Sequence, residues 1–137
     1  MGDLARVYAA RMTIVAAVVV GLAALLHGYI FWMESLAWTR PAIWRRFGIR
    51  DQQTAETIRP MAYNQGFYNL FLGVGAAVGL VLFLTGSEDA GRALVLFCTG
   101  AMVAAAAVLL TTGRSYVTAA LTQGTLPLIG FLLFLFV

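Results

Sequence analysis

The sequence predicts an all-α integral membrane protein: a four-helix bundle with a short interfacial helix in its first loop, built as a single domain over residues 1–137. The chain is 61% hydrophobic and 11% charged, whereas a soluble domain is about 45–50% apolar and about 25% charged. Its mean hydropathy is +0.87. Its apolar residues fall into four runs, each close to the about 20 residues that cross a bilayer as a helix. These observations exclude a disordered chain and an ordinary soluble enzyme.

The four apolar runs define the predicted spans, and the segments between them define the topology. The spans lie at residues 9–34, 63–85, 92–112 and 117–137. The last three are joined by only a few residues each, which forces neighbouring helices to be antiparallel. The first run has no small-residue cleavage site, so we expect it to be retained as a span rather than removed as a signal peptide.

The remaining segment, residues 35–62, is predicted to be an amphipathic loop. Its stretch 41–48 mixes aromatic rings with arginines and ends in a glycine. This pattern favours a short interfacial helix with Trp44 and Phe47 at the headgroup boundary.

A second, turn-rich segment of the loop follows this helix. It begins at Asp51, a residue type that often caps helices, and extends to Arg59. We expect Pro60 to separate this segment from the second span.

The basic residues indicate an orientation rather than a nucleic-acid partner. All nine are arginines, and the net charge is +3. They lie between apolar runs and form no basic face outside the membrane, so we expect no nucleic acid to bind. Six of them lie on the side of loop 35–62 and turn 113–116, against three on the other side. The positive-inside rule therefore places these two segments in the cytoplasm.

Polar side chains concentrate at one end of the predicted bundle. Antiparallel threading brings the polar ends of all four spans to the arginine-rich side. The opposite halves contain almost nothing polar beyond Thr99. A transport path normally places ionisable groups near the midplane. This asymmetry instead predicts a polar pocket that opens to one side of the membrane.

His27 and Glu34 are the candidate catalytic residues of this pocket. At about 100° per residue, side chains seven positions apart lie on nearly the same face of a helix. An imidazole beside a shielded carboxylate can pass protons. The structural alternatives are a neutral histidine bonded to a neighbouring helix, and a carboxylate paired with Arg40 or Arg114.

Further polar and aromatic side chains at this end are candidates for ligand binding. Amides orient a ligand by hydrogen bonding but do not exchange protons at neutral pH. The alternative is that they join helices, at about 0.6 kcal/mol per bond in membranes. The candidate residues are Asn64, Gln65, Tyr68, Asn69, Trp38, Arg114 and Gln123.

Metal and cofactor chemistry has little support in the sequence. The chain has one histidine and one cysteine, Cys98. Neither a metal-ligand spacing nor a disulfide follows from these two residues. We therefore expect no metal and no cofactor. A homodimer, which would supply a second His27, stays open, as does the question of whether the chain is an enzyme.

Several short motifs carry a resemblance to a known family. They lie at residues 26–30, 33–34, 47–48, 64–72 and 122–127, together with Trp38. With them the chain resembles the small membrane proteins called domain of unknown function 1304, over nearly its whole length. The resemblance implies a four-span protein of the bacterial inner membrane and no particular activity. Its motif residues include the polar residues chosen above.

Three functions stay open at this stage. The first is a pocket that binds a small or lipid-like molecule from the cytoplasmic leaflet and acts on it by acid–base chemistry. The second is a proton-coupled transporter of small molecules that works as a dimer. The third is an accessory subunit without chemistry, whose polar residues join helices and contact a larger membrane complex.

Overall fold

The computed structural model describes residues 2–137, and these residues form helices joined by short turns. The helices are α1 (Gly2–Phe31), α2 (Pro41–Trp44), α3 (Gln52–Leu84), α4 (Glu88–Thr112) and α5 (Val117–Phe134). Within the described residues, α1, α3, α4 and α5 are long and apolar enough to cross a membrane. This confirms the predicted all-α, four-helix membrane bundle.

The four long helices form a ring in which each contacts the next. α1 packs on α3, α3 on α4, α4 on α5, and α5 returns to α1. The interior of the half that carries the N-terminus is apolar except for Thr99, and Val20, Val95, Met102 and Phe134 are fully buried there. Because lipid tails are as apolar as these side chains, close van der Waals packing stabilises the contacts among the four helices.

Glycines allow α3 and α4 to approach closely. A Cβ at Gly79 would lie 2.9 Å from the backbone nitrogen of Val95, and a Cβ at Gly75 would lie 2.6 Å from Sγ of Cys98. These small residues therefore serve helix contact within one chain, as small residues do in membrane proteins. They fix the antiparallel register of the two helices.

The beginning of α3 corrects the prediction for the loop. α3 starts at Gln52, and Pro60 lies inside it rather than separating two segments. Proline removes the backbone bond to the carbonyl four residues earlier, which belongs to Glu56. Because Glu56 is exposed, water can satisfy that carbonyl and the helix continues.

α3 is longer than a membrane requires. Its 33 residues make about 50 Å at a rise of about 1.5 Å per residue. The hydrocarbon core measures about 30 Å, or about 20 helical residues. Counted back from Leu84, the edge of the hydrocarbon core lies near Gln65. The first part of α3, before this edge, is therefore in excess of what the hydrocarbon core can hold.

Residues 37–62, which we name the cap, comprise most of this first part of α3 and the segment that folds onto it. The cap has its own cluster of buried apolar residues, formed by Ala37, Trp38, Ile43, Trp44, Ala55 and Ala62. Nε1 of Trp38 donates a hydrogen bond of 2.9 Å to the carbonyl of Ala55. The part of the cap that precedes α3 is thus held on this helix by apolar packing and by this hydrogen bond.

The predicted interfacial helix is present, but its main aromatic residue points elsewhere. α2 and a 3₁₀ turn, Arg45–Phe47, end at Gly48, whose φ of 78° suits glycine. Trp44 is only 3% exposed, so its prediction at the headgroup boundary is wrong. Its ring is buried even though its Nε1 finds no hydrogen-bond partner. The large apolar area of the indole explains this preference.

The N-cap of α3 leads to a prediction about pH. Oδ1 of Asp51 accepts a hydrogen bond of 2.7 Å from the Thr54 amide, which confirms Asp51 as the cap. This bond lowers the pKa of Asp51 below its ordinary value. A carboxyl whose pKa is lower in the folded state stabilises it above the ordinary pKa, and this contribution is lost as the pH falls through the lowered pKa.

We therefore expect the Thr54 amide to lose protection from hydrogen exchange as the pH falls through the pKa of Asp51. Asp51→Asn is the matched control, because asparagine also caps helices but does not titrate. After correction for intrinsic exchange rates, the variant should show no such step. The same step in both proteins would contradict this role of the carboxylate.

Candidate functional site

Glu34 lies where α1 changes its helical form. The last turn, Trp32–Leu36, is a π-helix, closed by a bond of 2.9 Å from the amide of Ala37 to the carbonyl of Trp32. Such turns are rare and occur frequently at functional sites. Glu34 is 9% exposed, so the turn holds a carboxyl group inside the protein.

The partner of Glu34 is Asn69 of α3. Nδ2 of Asn69 donates a hydrogen bond of 3.0 Å to Oε2 of Glu34 and one of 3.1 Å to the carbonyl of Gln65. Both hydrogens of the amide group are thereby used, which fixes the orientation of the amide. Oδ1 of Asn69 and the second carboxyl oxygen of Glu34 are then the acceptors that can meet a ligand.

His27 is buried deeper on the same face of α1. Its side chain is 1% exposed, and Nδ1 lies 2.9 Å from the carbonyl oxygen of Ala23. A carbonyl only accepts hydrogen bonds, so Nδ1 carries the proton and Nε2 is the acceptor of the neutral ring. The seven residues from His27 to Glu34 correspond to about 10 Å along α1. The structure therefore does not bring these two candidates into direct contact.

Gln123 of α5 lies near the level of His27. α1 and α5 run antiparallel, and a Cβ at Gly130 would lie 2.8 Å from Val20. Gln123 lies seven residues before Gly130 on α5, and His27 lies seven residues after Val20 on α1. The two residues are therefore at about the same level of the bundle. Gln123 is half-buried, and Pro127 lies inside α5, where it frees the carbonyl of Gln123 from helical bonding.

The other candidates lie outside this interior. Asn64, Gln65 and Tyr68 are exposed on α3 near the membrane edge, and Arg114 is exposed in the turn between α4 and α5. Trp38 is buried in the cap, where it bonds to α3. The structure thus brings Glu34 and Asn69 together, with His27 deeper in the same interior.

Two features of the site were not predicted from the sequence. A Cβ at Gly66 would collide with Oγ of Ser35, and Ser35 donates a hydrogen bond of 2.8 Å to the carbonyl of Tyr63. Gly66 therefore lets α3 approach the π turn. A glycine inside a helix was an available signal for such close packing, whereas the π turn has no signal in a single sequence.

The structure also contains two concave surfaces away from Glu34. A groove of about 420 Å³ runs between α1 and α3 on the outside of the bundle. A crevice of about 110 Å³ lies in the cap, next to Trp38 and Arg59. Among the described residues, no three His, Cys, Asp or Glu side chains are grouped as a metal site requires.

Four spanning helices with a folded cap at one end define a multi-pass membrane protein. A family model described as a protein of unknown function, DUF1304, matches residues 21–135. The chain belongs to this family, as the motifs indicated. The matched segment contains His27, Glu34, Asn69 and the whole cap. No curated protein and no solved structure shows significant similarity to the chain.

Proposed function

We propose that this protein binds a small or lipid-like molecule at one side of the membrane and exchanges a proton with it. The observation that carries the proposal is the buried Glu34 carboxyl, held in a π turn by the amide of Asn69. Asn69 orients the carboxyl group, and Glu34 is the group that gives or takes the proton. His27 offers a further acceptor, Nε2, deeper in the interior.

The surroundings of Glu34 favour a functional role over a structural ion pair. Its hydrogen-bond partner is a neutral amide, whereas Arg40 lies over the ring of Trp32, with 5.6 Å from Cζ to the ring centroid. A carboxyl group without a cationic partner is costly to bury. Ionisable residues kept within membrane spans usually serve a function.

The packing of the bundle favours binding from one side over transport across the membrane. Beyond His27, the interior is filled by Val20, Val95, Met102 and Phe134, each less than 2% exposed. Close-packed apolar side chains of this kind leave no room for a hydrated path. We place the cap and the 113–116 turn in the cytoplasm of a bacterial inner membrane, because most arginines lie on that side.

The test is whether a copurifying molecule depends on the Glu34–Asn69 pair. Wild type, Glu34→Gln and Asn69→Ala are purified in mild detergent and analysed by native mass spectrometry, before and after organic extraction. Leaving a buried polar group without its hydrogen-bond partner costs about 1–3 kcal/mol, so we expect each variant to retain at least about fivefold less of the molecule.

Two matched variants control for nonspecific effects. Glu56→Gln changes an exposed glutamate of α3, which accepts a hydrogen bond from Gln52, and Asn64→Ala removes an exposed amide near Asn69. Both should retain the molecule as wild type does. Equal retention in all five proteins contradicts the proposal. A larger protein partner that copurifies with all five, without any small molecule, would instead favour an accessory subunit.

A further inference from the structure

The groove between α1 and α3 is an apolar surface inside the membrane. Its volume is about 420 Å³, and its walls include Gly21, Leu25 and Gly28 of α1 and Leu70, Gly73 and Val74 of α3. A Cβ added at Gly21 or at Gly28 would meet no atom within 4 Å. These two glycines therefore create open space along about 10 Å of the helix.

Aromatic rings lie about one helical turn beyond the residues that line the groove, on the side of the cap. Phe31 and Phe67 pack edge to face, with their ring centroids 5.0 Å apart. Trp32 lies one turn beyond Gly28 and stacks on Tyr29 at 5.7 Å. Tyr29 is 44% exposed and Trp32 is 36% exposed. Amphipathic rings of this kind mark the level of the lipid headgroups.

Two arginines of the cap are held beside these rings. The guanidinium of Arg40 lies over Trp32, 5.6 Å from the ring centroid. Nη1 of Arg46 donates a hydrogen bond of 3.3 Å to the hydroxyl of Tyr29. Both arginines are exposed, and neither contact neutralises the positive charge. The mouth of the groove therefore carries two charges at headgroup level.

We infer that this surface binds an anionic phospholipid, with one acyl chain in the groove and the phosphate between Arg40 and Arg46. Guanidinium groups bind phosphate by charge-assisted hydrogen bonds. Basic groups next to a membrane span attract anionic lipids. A second copy of the chain in the same orientation would bring the same two arginines to this level, whereas a lipid brings a phosphate. Glu34 faces the interior, so this site does not depend on the function proposed above.

The experiment is a lipid titration of the detergent-purified protein followed by native mass spectrometry. The probes are phosphatidylglycerol and phosphatidylcholine with the same acyl chains, and we expect phosphatidylglycerol to bind more tightly. Arg40→Gln and Arg46→Gln should each weaken phosphatidylglycerol binding about fivefold. They should weaken phosphatidylcholine binding less, because its choline cation offsets the charge of the phosphate. Gly28→Leu fills the groove and should reduce the binding of both lipids.

Matched variants distinguish this site from general surface effects. Arg45→Gln removes a neighbouring guanidinium that lies over Trp44 instead, 5.2 Å from its ring centroid. Ala104→Leu introduces the same side chain at an exposed position of α4. Neither should change lipid binding, and Glu34→Gln should not change it either. Equal affinity for the two lipids, or an equal loss in Arg45→Gln, would overturn the inference. The inference would also be overturned if wild type were a dimer, and if Gly28→Leu made it a monomer without changing lipid binding.

Discussion

Gly91→Ala is expected to destabilise the bundle by about 3 kcal/mol or more, although it adds only one methyl group. The new Cβ would collide with the backbone nitrogen of Phe83 and would lie 2.7 Å from the carbonyl oxygen of Gly79. Backbone atoms cannot rotate away as the end of a side chain can. α3 and α4 must therefore separate where they pack most closely.

This expectation is measured by unfolding in mixed detergent micelles with increasing dodecyl sulfate. Gly21→Ala is the matched control, because its methyl group enters open space. Alanine is also favoured over glycine in a helix by about 1 kcal/mol, so this variant should be as stable as wild type or more so. If Gly91→Ala unfolds at the same fraction of dodecyl sulfate as Gly21→Ala, the expectation is wrong, and the close approach of α3 and α4 does not determine the stability of the bundle.

Trp38→Ala should unfold the cap while the membrane helices stay folded. Trp38 is 5% exposed within the apolar cluster of the cap, and truncation of a buried tryptophan typically costs about 3–5 kcal/mol. The variant also loses the hydrogen bond from Nε1 to the carbonyl of Ala55. We expect amide exchange in α2 and at the start of α3 to accelerate strongly, with little change in α4 and α5.

Two further substitutions separate packing from hydrogen bonding in the cap. Trp38→Phe keeps most of the apolar area and loses the hydrogen bond, so it should cost only about 1 kcal/mol. Trp32→Ala removes an exposed indole and should leave the cap protected. Comparable exchange in Trp38→Ala and Trp32→Ala would show that the apolar cluster does not hold the cap.

The membrane spans could be predicted from the sequence because hydropathy over about 20 residues depends little on tertiary contacts. The continuation of α3 through Pro60 could not be predicted, because it depends on whether water reaches the carbonyl of Glu56. The burial of Trp44 could not be predicted from the sequence either. A pattern of aromatic rings and arginines looks the same whether the ring faces lipid headgroups or the start of α3.

The residues of the candidate site could be predicted from the sequence, but the contacts between them could not. Asn64, Gln65, Tyr68 and Asn69 cover about 140° of a helix surface, so one helix cannot turn all four inward, and the structure buries Asn69. The π turn also adds one residue to a helical turn, which rotates the side chains that follow. This rotation helps to bring Glu34 into contact with Asn69. No local residue pattern predicts the π turn.

The continuity of α3 has a mechanical consequence. Asn69 and Ala55, the residue that accepts the hydrogen bond of Trp38, belong to one continuous helix. Pro60 lies between these two residues and lacks one backbone hydrogen bond, which makes it the position where α3 bends most easily. A displacement of the start of α3 would therefore be taken up by bending at Pro60, and Asn69 would keep its place beside Glu34.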